Sequence, residues 1–289
     1  MQNDNIVFND YLDKFIADLQ EKGKSRYTII AYKKDIEQFL GFLAKKQIVA
    51  ITDVKKEVIA EFIAELLNTS YTKKSASRKL NSIRTFYRFL KEQAIVTINP
   101  ALDVAHPRFE NSRPRVLSKL EYRALRDFAR EDKRTYALIE LFLQTGLRIG
   151  ELANLRVPDM TDNELLVRAY GKNVERRIPL NKLVVKAVKD YLAVRPESKE
   201  DHIFITKNNK PLLIRNIRNI VDRCFREVGI EKVKVNDLRN TFIAHQLSAG
   251  VPLAYVSKVV GHKRLSSTEQ FLDLIAQEST PSQYKLNEL

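Results

Sequence analysis

The residues most suited to joint chemistry are Arg239 and His262 near one aromatic position, Phe271, with a second arginine, Arg148, in a motif of its own. Arg148 sits in Thr145-Gly146-Leu147-Arg148-Ile149-Gly150-Glu151-Leu152. There Gly146 permits a tight turn and sets Arg148 just ahead of a new helix. A guanidinium so placed offers paired donors to phosphate oxygens. The plainer alternative is a surface ion pair with Glu151. Arg239, His262 and Phe271 lie in the stretch from Val235 to Phe271, which reads as three helical segments bringing them into one neighbourhood. Phosphoryl transfer without a metal needs cations around the scissile phosphate and a positioned nucleophile. No carboxylate cluster suited to Mg²⁺ and no glycine-rich phosphate cradle stands out, so neither metal nor cofactor is expected.

Composition agrees with a polyanionic partner. The 289 residues carry a net charge of +14, unevenly shared. Residues 1–111 hold 18 Lys+Arg against 14 Asp+Glu, and residues 112–289 hold 32 against 22. Charge alone leaves nucleic acid and an ordinary basic surface equally open. No run of eighteen apolar residues and no signal-peptide pattern is visible, and the single cysteine, Cys224, excludes an intrachain disulfide. The four histidines show no close metal-ligand spacing. A reducing cytoplasm is the expected compartment.

The positioning elements divide into a helical first part, a linker and a mixed second part: 1–100, 101–118 and 119–289. Apolar periodicity predicts helices over 7–21, from Ser25 to about Lys46, after a Thr52/Asp53 cap, and over about 72–93. The last of these carries Lys73, Lys74, Arg78, Lys79, Arg84 and Arg88 beside a core stripe. It reads either as a solvated basic face or as a row of phosphate contacts. Pro100, Pro107 and Pro114 mark the linker. Beyond it, Ser118 with Glu121 predicts a capping box, and a buried helix ends at Thr145-Gly146. Two short strands, 164–169 and 176–180, are expected to form a hairpin, with one more strand over 202–205. A basic helix over 214–228 carries Arg215 and Arg218 outward. Helices over 238–249 and 267–277 flank a shorter one, with Ser266 and Glu269 as a cap.

Together Arg148 in its motif, Arg239-x(22)-His262-x(8)-Phe271, Lys24-Ser25-x-x-Thr28-Ile29-x-Ala31-Tyr32 and Arg78-Lys79-Leu80-x-x-Ile83-Arg84 resemble the tyrosine recombinases, the phage integrase and Xer family, over about residues 7–275. The resemblance implies a mainly α (α+β) protein. A helical core-binding domain and a mixed α/β catalytic domain with a small antiparallel sheet would form a C-shaped clamp on duplex DNA. It implies catalytic roles for Arg148, Lys172, Asn236, Arg239, His262 and position 271. Lys172 would be the hairpin-tip lysine that protonates the leaving 5′-oxygen, with Arg176 or Arg177 as second choices. DNA contacts are implied for Lys73, Lys74, Arg78, Lys79, Arg84, Arg215 and Arg218. The implied partners are an inverted-repeat DNA site and three further copies in a tetramer, with the C-terminal segment passed between protomers. The implied roles are chromosome segregation or mobile-element movement.

Two positions depart from the family pattern. The family attacks phosphorus with a tyrosine phenol and stores the bond energy in a 3′-phosphotyrosine. Phe271 lacks that oxygen, which implies a nucleophile-deleted form that binds DNA without cleaving it. Tyr255 and Tyr284 do not fit the spacing. Asn236 stands where the family usually has histidine, and it cannot relay a proton near neutral pH. The alternatives are a non-catalytic DNA-binding or synapsis protein on this scaffold, and a type IB topoisomerase.

Overall fold

The computed structural model describes residues 2–110, 113–171 and 173–274, with side chains from Phe8 onward. The chain divides into two compact units, 1–111 and 112–289. In the first, α1 (Gln2–Glu21), α2 (Arg26–Lys45), α3 (Lys56–Asn68) and α4 (Lys73–Glu92) enclose a core of Phe15, Ile36, Phe39, Leu80, Phe86 and Leu90. The caps explain two of the starts. Ser25 Oγ accepts from Thr28 N–H at 3.2 Å, and Thr72 Oγ1 accepts from Ser75 N–H at 3.2 Å. The Thr52/Asp53 cap does not form. Ile51–Asp53 is a separate 3₁₀ turn, and α3 starts at Lys56 without a side-chain cap.

In the second unit, α5 (Lys119–Ala129) opens with the expected reciprocal box. Ser118 N–H donates to Glu121 at 2.8 Å, and Glu121 N–H donates to Ser118 Oγ at 3.3 Å. There follow α6 (Lys133–Thr145), α7 (Ile149–Ala153), β1 (Glu164–Val167), β2 (Arg176–Pro179) and α8 (Lys182–Leu192). Then come α9 (Ile214–Glu227), α10 (Val235–Ser248), α11 (Leu253–Val260) and α12 (Ser266–Glu269). The two strands pair antiparallel with Leu165 opposite Ile178, both buried. The protein is thus mainly helical with a small antiparallel sheet.

Two expectations change and one element is new. His202 and Ile205 make only isolated bridges, to Arg156 and Pro211, because their neighbours turn away after one pairing. The final helix is interrupted: Ser266 lies inside its first turn, Leu265 takes the cap position, 270 and 271 form a turn, and helix resumes over 272–274, the last described residues. α8 is new, although Asn181 caps it and Val184, Val185, Val188 and Tyr191 give its buried face helical spacing.

Candidate active site

Gly146 fixes the first arginine. It ends α6 in the left-handed region at φ +61°, and a Cβ there would meet Phe242 Cδ1 of α10 at 2.5 Å. Only glycine therefore lets the α6–α7 turn lie against α10, the helix that carries Arg239. Arg239 is 4% exposed and donates to Gly146 C=O at 2.5 Å and to Val260 C=O at 2.8 Å. Arg148 reaches the same peptide, donating to Val260 C=O at 3.3 Å and to Gly261 C=O at 2.8 Å. The two arginines therefore meet at the last turn of α11, the negative end of that helix dipole.

Arg176, on β2, completes the arrangement. It donates to Val259 C=O at 2.7 Å and holds both oxygens of Glu151, at 2.9 and 2.8 Å. Glu151 also takes Arg148, through its side chain at 2.9 Å and its backbone N–H at 2.9 Å. The Arg148–Glu151 pair thus exists, but its carboxylate is buried and Arg148 is only partly exposed. Burial pushes the Glu151 carboxyl up, yet the bonds from Arg176 and from the Arg148 backbone outweigh it and hold its pKa below the ordinary value. Two guanidinium groups bind one carboxylate and a third lies nearby without one, leaving a surplus of positive charge. Burial, then the charge of Arg148, presses Arg239 down to about 9, still charged at neutral pH.

Gly261 ends α11 at φ +69°, and His262 follows at once. Its Nδ1 lies 2.8 Å from Thr268 Oγ1. Burial and the charges of Arg239, Arg148 and Arg176 lower its pKa to about 4, so the imidazole is neutral at pH 7. Phe271 N–H donates to Thr268 C=O at 3.1 Å, and its ring, 1% exposed, joins the main core of this unit. Arg148, Arg239 and His262 are thus brought together, with residue 271 one turn beyond the threonine that holds the histidine. Asn236 stands exposed on the first turn of α10, bonded to Asn240 at 3.3 Å, with no hydrogen bond to the arginines among the described residues. Lys172 lies outside the described residues. Before it, Gly171 has φ +59°, and Tyr170 pairs directly with Asn173.

Two family models cover this chain: the Phage integrase family over residues 115–278, and the Phage integrase, N-terminal SAM-like domain over residues 12–94. The chain belongs to the phage integrase family of tyrosine recombinases. It is 32% identical to "Tyrosine recombinase XerC" of Thermodesulfovibrio yellowstonii over 274 residues, 90% of each chain. It shares its fold with a lambda integrase(75-356) dimer bound to a COC' core site, at 18% identity and a TM-score of 0.77, over 90% of this chain and 96% of that one. A lambda integrase tetramer bound to a Holliday junction is also similar, at 19% identity and a TM-score of 0.75, over 89% and 77%.

In this tyrosine recombinase the basic residues expected on DNA separate into two kinds. Lys73, Lys74, Arg215 and Arg218 are exposed. Arg218 also lines an open cavity of about 810 Å³ with Arg226, Lys232, Lys234 and Asn236. Arg78 is half-exposed, with its guanidinium on Asp35. Lys79 differs from the expectation. It is 5% exposed and donates to Asp35 at 2.9 Å, so its charge serves the fold. Arg84 differs as well, donating to Ala101, Leu102 and Val104 carbonyls at 2.9, 3.2 and 2.7 Å and thereby fixing the start of the expected linker. The roles of Glu151 and Arg176 escaped the sequence reading. Their signal is an acidic residue three after Arg148 and a basic one opening the second hairpin strand.

Among the described residues one grouping has metal-ligand character, Glu200, Asp201 and His202, and Asp201 is already bound to Arg156 at 2.8 Å. No described helix is long and apolar enough to cross a membrane.

Proposed function

We propose that this chain is a site-specific DNA recombinase whose second unit encloses one backbone phosphodiester. The reading rests on a single observation: Arg148 and Arg239, 91 residues apart in sequence, donate to the same Val260 carbonyl, two residues before His262. Arg148 and Arg239 hold the non-bridging oxygens, His262 donates a hydrogen bond, and Lys172 protonates the departing 5′-oxygen. Asn236 supplies at most a hydrogen bond. Residue 271 is the nucleophile position. As phenylalanine it leaves a chain that binds an inverted-repeat duplex without cutting it.

Residues 1–100 serve as the core-binding domain and 119–289 as the catalytic domain, closing as a clamp on DNA. Lys73, Lys74, Arg215 and Arg218 supply the phosphate contacts. Two duplexes are bridged by a cyclic tetramer, with the segment after residue 275, outside the described residues, passing to a neighbour. The lambda integrase tetramer on a Holliday junction supports that assembly. The setting is cytoplasmic, on a chromosome or a mobile element.

The test is Phe271→Tyr, incubated with nicked duplexes carrying the inverted-repeat sequence that the unaltered chain selects from a randomised pool. A covalent 3′-phosphotyrosyl adduct is expected. The full burial of the Phe271 ring favours the second reading, a DNA-binding protein on this scaffold without catalysis. Intact binding with no adduct establishes that one, and relaxation of plasmids lacking the site points to a topoisomerase.

A further inference from the structure

His262 Nδ1 has one described partner, the hydroxyl of Thr268 at 2.8 Å, and Thr268 is fully buried. A neutral imidazole carries its proton on either nitrogen, and the bond at one nitrogen decides the state of the other. If Nδ1 carried the proton, the Thr268 hydroxyl would accept it, and the hydroxyl's own proton would be buried with no acceptor among the described residues. A buried donor left without a partner costs about 1–3 kcal/mol. If the hydroxyl donates to Nδ1, both groups are satisfied and the proton sits on Nε2. An Nε2–H so fixed needs an acceptor, such as a phosphate oxygen.

Resting on the recombinase reading, we propose that Thr268 is a positioning residue: its hydroxyl donates to His262 Nδ1 and fixes the imidazole as an Nε2–H donor aimed at the substrate phosphate. The consequence is that His262 acts as a hydrogen-bond donor and not as the base that deprotonates the nucleophile. Thr268 acts only through His262, in the way second-layer partners of a histidine set its tautomer and orientation.

The first measurement needs no variant. In the ¹⁵N-histidine-labelled full chain at pH 7, long-range ¹H–¹⁵N spectra, assigned with a His262→Gln sample, are expected to show His262 protonated on Nε2. Protonation on Nδ1 overturns the proposal. Thr268→Val removes the hydroxyl at nearly constant shape and is expected to shift the population toward Nδ1–H, with Thr268→Ser restoring Nε2–H. An unchanged tautomer in the valine variant, or no rescue by serine, also overturns it. In the Phe271→Tyr background, the valine variant is expected to slow adduct formation by about 10-fold or more, and the serine variant to recover it. Should Phe271→Tyr form no adduct at all, the recombinase reading fails while the spectra still decide the role of Thr268.

Discussion

Each unit has a buried carboxylate that gathers two basic side chains, Asp35 in the first and Glu151 in the second, and the two differ in what is left over. Asp35, on α2, takes Ser82 at 2.7 Å, Lys79 at 2.9 Å and the Arg78 guanidinium, which is half in water. Every charge there is either paired or solvated. Glu151 likewise takes two arginines, but a third, Arg239, is buried beside them with only carbonyl partners and no carboxylate in ion-pair reach among the described residues. A buried charge without a counter-ion is expensive. Helix-end carbonyls offset part of that cost. Similar ion pairs therefore close on themselves in one unit and leave a buried charge unmatched in the other, which is what the proposed phosphate site requires.

The sharpest way to break this contrast is Arg239→Ala in the Phe271→Tyr background. Adduct formation is expected to fall by roughly 10²–10³-fold, measured by single-turnover assays on the nicked duplex. Asp35→Ala should do the opposite. It leaves Lys79 buried and unpaired, costing about 3–5 kcal/mol in urea unfolding, while the folded fraction keeps its cleavage rate. A large loss of catalysis on removing Asp35 would dissolve the distinction.

Acid tests the same difference more gently. His262 has a pKa of about 4 when folded against 6.5 as its ordinary value, so the unfolded chain binds more protons between those limits. The stability from keeping it neutral is complete above about pH 6.5 and is lost as pH falls toward 4. His262→Gln is expected to flatten that part of the stability profile, read from urea midpoints at pH 7 and pH 5. The smallest expected effect is on DNA affinity. Lys73→Ala and Lys74→Ala should each reduce the salt slope of binding by roughly 0.9, whereas Lys79→Met, already withdrawn onto Asp35, should leave the slope unchanged.

Local signals were the most legible. Ser25 and the Ser118–Glu121 box placed two helix starts, because capping is decided within four residues. The Arg148 motif and the spacing from Arg239 to His262 mark residues that the fold brings together at the end of α11. What stayed hidden depends on contacts made through space. Lys79 and Arg84 look like outward charges in a basic helix, and only Asp35, 44 residues before Lys79, and the carbonyls of 101–104 show that they turn inward. Arg176 opens the second hairpin strand, a position that suggests a role near the site but not that it grips Glu151, 25 residues earlier. The break at 270–271 is invisible in the sequence because Phe271 and Leu274 keep helical spacing across the turn that separates α12 from the helical residues 272–274.

The end of α11 carries an unusual share of responsibility. The helix is eight residues long, too short to persist alone in water. Yet its last carbonyls anchor Arg148, Arg176 and Arg239, and its terminal glycine aims His262. A disturbance that unwinds one turn there would release all four groups in a single event. The machinery is therefore set as a whole or not at all, and Val259 to Gly261 act as its keystone.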